Sequence, residues 1–201
     1  SPVRSLWEIT LDNKGERGLF YVDFSKKFVV VGNIIEVASG ANRTAERVEE
    51  IQEVKKVDLS AIPLEDSLVM GNPKAAKKVV VFTDPDCPYC GRLHAELKKI
   101  LQKRDDVVFY LKLYPLPMHK DAPWKAKSIM CNNSIQMLED NFDKKPIPRT
   151  DCDTKAIEKN LKLVEDLGIS GTPTLIFPDG TIQVGAFPAE RILAFIDNPK
   201  Q

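Results

Sequence analysis

The sequence predicts an α+β protein: a small β-rich domain over residues 1–38, a helical linker over 39–60, and an α/β domain over 61–201 with a helical insertion at about 117–168. Three observations predict this. The first stretch alternates polar and apolar residues, which is the period of half-buried strands. Farther on, the apolar run Val79-Val80-Val81-Phe82 is followed by a polar turn and then by apolar residues at helical spacing. Near the end, Leu175-Ile176-Phe177, the turn Pro178-Asp179-Gly180 and Thr181-Ile182-Gln183-Val184-Gly185 read as a hairpin.

In the first domain, Leu6-Trp7-Glu8-Ile9-Thr10-Leu11 alternates and Asp12-Asn13-Lys14-Gly15 reads as a turn. Leu19-Phe20-Tyr21-Val22 and Phe28-Val29-Val30-Val31 flank a short polar connection. Gly32-Asn33 breaks the strand, and Ile34-Ile35-Glu36-Val37 resumes it. So few short strands enclose little core, so a second copy or the rest of the chain must cover them. Ser39-Gly40-Ala41-Asn42 then interrupts the pattern. Asn42 or Thr44 suits a helix N-cap, and Glu46 suits the first turn. Val48, Ile51 and Val54 form a narrow apolar stripe among charged faces, the pattern of a solvated connector. Ile62-Pro63-Leu64 and Met70-Gly71-Asn72-Pro73 lead into the next strand, with Lys74, Lys77 and Lys78 as solvated charge.

Thr83-Asp84-Pro85-Asp86-Cys87-Pro88-Tyr89-Cys90 joins that strand to a helix bearing Leu93, Leu97, Ile100 and Leu101 on one face. A helix start offers free N–H groups and a positive dipole end, so a thiolate at Cys87 is favoured. Cys90 lies one turn on, more shielded, and is placed to attack a mixed disulfide formed at Cys87. Two blander readings remain beside this redox one. A zinc site usually needs a second close pair, and Cys131 and Cys152 are about twenty residues apart. A structural 87–90 disulfide would close too short a loop to gain much entropy. No metal or cofactor is expected. Asp84 and Asp86 are expected in the loop, with charges that oppose the thiolate. His94 reads as a polar side chain on the helix flank.

Val107-Val108-Phe109-Tyr110-Leu111-Lys112-Leu113 is a strand ended by Tyr114-Pro115-Leu116-Pro117. The gap of about 55 residues to Thr172 is too long for one crossover helix, which implies the insertion. Residues 125–138 read as one helix, 141–150 as a loop, and 154–167 as a second helix stopped by Gly168. A closing helix covers 188–196. The charge balances, with 29 basic and 29 acidic residues, so nothing points to nucleic acid or an anionic membrane. No apolar run approaches the roughly 18–20 residues that span a bilayer. The chain opens Ser1-Pro2-Val3-Arg4 without a signal-peptide pattern, as a processed chain would, so this does not argue for the cytoplasm. Four cysteines, two in the motif and two apart, suit an oxidising compartment with one structural bridge.

Cys87-Pro88-Tyr89-Cys90 after a strand, with Gly171-Thr172-Pro173-Thr174 before another, resembles a thioredoxin fold. The resemblance implies a cis bond at Thr172–Pro173 beside the cysteines, where an extended substrate docks as an added strand. Phe20-Tyr21-Val22-Asp23 and the run from Phe28 to Ile35 are similar to the cystatin-like N-terminal dimerisation domain of the DsbC and DsbG disulfide isomerases. Lys26 stands where that family often has Gly in the hairpin. The family also has a His where this chain has His94, and a structural disulfide with nearly the spacing of Cys131 and Cys152. A bridge over such a loop is worth roughly 3 kcal/mol. Val81 replaces the buried acid of thioredoxin-type reductases, which favours the periplasmic branch and leaves the proton acceptor of Cys90 unassigned.

This resemblance implies a homodimeric periplasmic thiol:disulfide interchange protein. It would rearrange wrong disulfides in client proteins, with Cys87 as nucleophile, Cys90 as resolving thiol and chaperone activity in an apolar cleft. Pro88 and Tyr89 tune the reduction potential, where many relatives have Gly-Tyr. A membrane thiol reductant of the DsbD type would keep Cys87 reduced. The sequence also allows a DsbG-like reductase of sulfenic acids on folded proteins, or a non-enzymatic holdase or metal-binding module.

Overall fold

The structure is a computed structural model that describes residues 1–13, 16–51 and 56–198. It divides into two compact units, Ser1–Val54 and Lys55–Gln201.

In the first unit, β1 (Leu6–Asn13) and β2 (Glu16–Asp23) pair antiparallel, with Ile9 opposite Phe20. A two-residue strand, β3 (Val29–Val30), adds to β2 through Tyr21 and Val22. The reversal before β3 is built on the Asp23 carboxylate. It accepts the N–H groups of Ser25, Lys27 and Phe28 at 2.8, 2.9 and 2.7 Å. Lys26 takes a left-handed φ of 58° within that clasp, a conformation that favours glycine. Residues 34–37 do not resume the strand. They form a single bridge, Ile35 to Asn42, because the chain turns back at Gly40, whose φ is 71°.

The helix expected as a solvated connector, α1 (Arg43–Ile51), instead packs within this unit. Asn42 caps it, its side-chain oxygen accepting the Ala45 N–H at 2.9 Å. Thr44 is buried, its hydroxyl 2.6 Å from the Tyr21 hydroxyl and accepting the Ile34 N–H at 2.8 Å. Arg47 reaches Glu8 on β1 at 2.7 Å. Buried Tyr21 is thus tied to the helix by a polar contact that a hydrophobic stripe does not report. The expected turn at Lys14 and Gly15, and Val54 of the stripe, lie outside the described residues.

The second unit runs β4 (Leu68–Gly71), β5 (Lys77–Thr83), α2 (Pro88–Leu101), β6 (Val107–Leu113), α3 (Ala122–Cys131) and α4 (Ile135–Phe142). It continues with α5 (Ala156–Asp166), β7 (Thr174–Ile176), β8 (Ile182–Val184) and α6 (Ala189–Asp197). The sheet order is β4-β6-β5-β7-β8, and β5 and β6 are its parallel pair. Strand β4 was not expected. Its alternation of buried Leu68 and Met70 with exposed Val69 and Gly71 is too short to tell from a loop.

Alternation along β5 and β6 sends side chains to both sheet faces. Val79, Val81, Phe109 and Leu111 join α2, α3, α4 and α6 in one core, through Leu97, Ile129, Leu138 and Ile192. Val80, Phe82, Val108 and Tyr110 meet Val164 of α5 and Ile62 on the other side. Burial on both faces is why these strands read as unbroken apolar runs. The expected 125–138 helix is two helices, because Ser134 caps α4 by accepting the Met137 N–H at 3.1 Å and Asn133 turns left-handed. Helix α4 also reaches into the stretch expected as a loop. Cys131, at the end of α3, is disulfide-bonded to Cys152, with a Cα–Cα distance of 5.9 Å. Lys77, expected to be solvated, pairs with Asp197 at 2.6 Å.

Gly180 shows why the turn before β8 needs glycine. Its φ is +83°, and a Cβ there would lie 2.0 Å from the Val57 carbonyl oxygen. Val57 donates its N–H to the Gly180 carbonyl at 2.9 Å, docking the entering segment on the sheet. Gly180→Ala should therefore cost roughly 2–4 kcal/mol in denaturant unfolding, from clash and strain together. A change below about 0.5 kcal/mol would show that this docking is not rigid.

Candidate active site

Strand β5 ends at Thr83 beneath the start of α2. Cys87 is the N-cap residue, extended at φ −78° and ψ 120°, and Pro88 opens the helix where no N–H is needed. The Cys87 sulfur therefore sits at the positive end of a 14-residue helix. The S–H of Cys90 donates to it first, followed by the Cys90 backbone N–H, the Thr172 hydroxyl and the Tyr89 N–H, and against the cost of burial they hold its pKa down at about 5. Cys90 is 1% exposed, and burial pushes its thiol far above the usual range. Part of that cost is offset by the Asp84 N–H, 3.4 Å from the Cys90 sulfur, and by the Thr83 hydroxyl. Two free thiols three residues apart are thus driven in opposite directions.

The Thr172–Pro173 bond is cis, and the Thr172 carbonyl lies 3.6 Å from the Cys87 sulfur. The Pro173 carbonyl accepts the Gly185 N–H at 2.8 Å, which fastens this loop to the strand end. The Thr172 hydroxyl, buried with no other partner among the described residues, faces the Cys87 sulfur and helps hold its pKa down. Pro88 and Tyr89 lie beside the sulfur. Tyr89 is exposed, with the Arg92 guanidinium 5.2 Å from its ring centre. Cys131 and Cys152 are bonded to each other in the insertion and are not part of this group.

The loop carboxylates differ from expectation. Asp84 is fully buried and takes N–H donors from Asp86, Leu116 and His119. Asp86 is paired with Lys125. Each negative charge is matched by its own donors, so neither stands free against the thiolate. His94 also departs from the flank reading. It is buried between Glu139 at 3.1 Å and the Phe142 ring, and burial holds its imidazole below the ordinary value. His119 and Asn141, whose side-chain N–H reaches the Pro85 carbonyl, escaped sequence reasoning. They meet the turn across 35 and 56 positions, and no local pattern marks them. Among the described residues, no three His, Cys, Asp or Glu side chains converge as metal ligands. Among them too, no helix is long and apolar enough to cross a membrane.

Residues 64–199 match the family model of a thioredoxin-like domain. The chain belongs to the thioredoxin-like family. Among curated relatives, it is 30% identical over 175 residues to a probable thiol:disulfide interchange protein DsbC of Bordetella avium, covering 87% of this chain and 60% of that one. It is 26% identical over 181 residues to the thiol:disulfide interchange protein DsbC of Escherichia coli, covering 90% of this chain and 73% of that one. The chain thus spans about 60% of the length of the first of these relatives. A disulfide interchange protein from Neisseria gonorrhoeae has a similar crystal structure, with a TM-score of 0.58 and 32% identity. The match covers 70% of this chain and 99% of that one.

The thiol asymmetry is directly measurable. Alkylation of the reduced protein should follow a pH midpoint of about 5, at Cys87, while Cys90 stays unmodified to much higher pH. The folded pKa of Cys87 lies below its unfolded value. The reduced form should therefore gain stability as pH rises from about 5 to about 9 and lose it as pH falls through about 5. A midpoint near the ordinary thiol value, or equal reaction at both cysteines, would contradict the geometry.

Proposed function

We propose that this chain is a thiol:disulfide interchange protein, a disulfide isomerase and reductase acting on exported client proteins in the periplasm. The observation that carries the reading is the divided pair: a stabilised sulfur at Cys87 and a buried, protonated thiol at Cys90, beside cis Thr172–Pro173. The DsbC relatives support the same reaction class, and the resemblance to the periplasmic branch supports the compartment.

The reaction balances without a cofactor. The Cys87 thiolate attacks one sulfur of a client disulfide, and the other client sulfur leaves as a thiolate. In isomerisation, a client thiolate then attacks the mixed disulfide and expels Cys87 unchanged, so no net electrons move. In reduction, Cys90 gives up its proton and attacks the Cys87 sulfur. The Cys87–client bond breaks, a Cys87–Cys90 disulfide forms, and the client leaves reduced. An external reductant of the DsbD type would then have to return two electrons to the pair. Thr172 and Pro173 would present backbone groups to an extended client segment, and exposed Tyr89 would border it.

The first unit is proposed to pair with a second copy. Trp7, Phe24, Phe28, Val29 and Val31 are all exposed, and β3 is an edge strand. An apolar, unpaired edge invites strand addition. The 131–152 bridge is proposed to be structural, pinning α3 to the loop before α5.

The test is refolding of a scrambled, fully oxidised substrate in a glutathione buffer. Wild type should outpace buffer, Cys87→Ala should match buffer, and Cys90→Ala should isomerise while accumulating stalled mixed disulfides. Wild type no faster than Cys87→Ala would overturn the reading. Sedimentation of the intact chain should give twice 22.6 kDa, and a monomer at working concentration would remove the dimer from it.

A further inference from the structure

We propose that His119 is a positioning residue for the resolving thiol Cys90, acting through Asp84. The inference rests on the reading of Cys90 as resolving thiol and adds a group to it. Asp84 holds both cysteines with its backbone. Its N–H points at the Cys90 sulfur, 3.4 Å away, and its carbonyl accepts the Cys87 N–H at 3.2 Å. Its side chain is the anchor. One carboxylate oxygen accepts the Asp86 N–H at 2.7 Å, and the other accepts the Leu116 N–H at 2.6 Å and His119 Nδ1 at 2.8 Å. His119 is the anchoring side chain from the loop after β6, and its ring is 22% exposed while the Asp84 side chain is 0% exposed.

The chemistry gives this anchor a specific duty. Facing a carboxylate, Nδ1 must carry the hydrogen, whichever charge state the ring holds. When Cys90 attacks, negative charge develops on a buried sulfur. The donors there are the Asp84 N–H and the Thr83 hydroxyl. A donor stabilises developing charge only if it is already aimed, and the Asp84 N–H stays aimed only while its carboxylate is fixed. Cys87 relies on different donors: the Cys90 thiol, the Thr172 hydroxyl and the first N–H groups of α2. Loosening Asp84 should therefore slow resolution more than the first attack.

The experiment mixes reduced full-length protein with one equivalent of an aromatic disulfide that releases a coloured thiolate. The first release reports attack by Cys87, and the second reports resolution by Cys90. In His119→Gln, the second release should slow roughly tenfold, about the worth of one hydrogen bond to a charged group, with the first slowed much less. In His119→Asn, the amide N–H falls where Nδ1–H lies, and the second rate should return to within about twofold of wild type. Equal slowing of both releases in the Gln variant, no slowing, or an Asn variant as slow as Gln would each overturn the proposal. Wild type releasing only one equivalent would instead sink the resolving role of Cys90, and the inference with it.

Discussion

Beside the Thr172 hydroxyl, negative charge on the Cys87 sulfur is met by the Cys90 S–H and by the N–H groups of Cys90 and Tyr89 in the first turn of α2. These donors converge because Pro88 starts the helix at a position that needs no donor of its own, leaving Cys87 outside as the cap. The helix start stays fixed because Leu93, Leu97 and Ile100 bury its far side in the sheet core. A sequence-local motif thus acquires its chemistry from a long-range core. The same Cys90 that donates to Cys87 is itself buried, so stabilising one thiolate opposes the other. That opposition separates a first thiol from a second.

The turn between β5 and α2 carries a second layer of organisation. Asp84 is buried with donors on both carboxylate oxygens, and Asp86 is matched by Lys125 from α3. Asn141 at the end of α4 holds the Pro85 carbonyl. The helical insertion is therefore wired into the active-site turn through two of its helices. His94 on α2 joins the same support, bound to Glu139 of α4. A polar residue one turn past the cysteines braces the insertion and does not face solvent.

Much of this was legible in the sequence, for physical reasons. The apolar runs of β5 and β6 and the cysteines between a strand and a helix are local signals, complete within a few residues. The cis Thr172–Pro173 bond was expected only through the resemblance, since Thr-Pro before a strand does not by itself specify an isomer. Four things were not legible. Strand β4 is four residues long at a sheet edge, below the length at which alternation separates from chance. The break between α3 and α4 rests on Ser134 capping inside a stretch whose apolar spacing runs straight through. Packing of α1 rests on Thr44 meeting Tyr21, a contact between polar atoms. The Asp84–His119 contact joins two loops 35 positions apart, and no local pattern pairs them.

The assignment of Cys87 as the first nucleophile is tested most directly by trapping. The full-length Cys90→Ala chain would be incubated with oxidised glutathione, quenched in acid, and digested for mass mapping. One glutathione bound at Cys87, with Cys131 and Cys152 still joined and no adduct at Cys90 in the Cys87→Ala chain, is the expected result. Glutathione found on Cys90 as readily as on Cys87, or on neither, would contradict it.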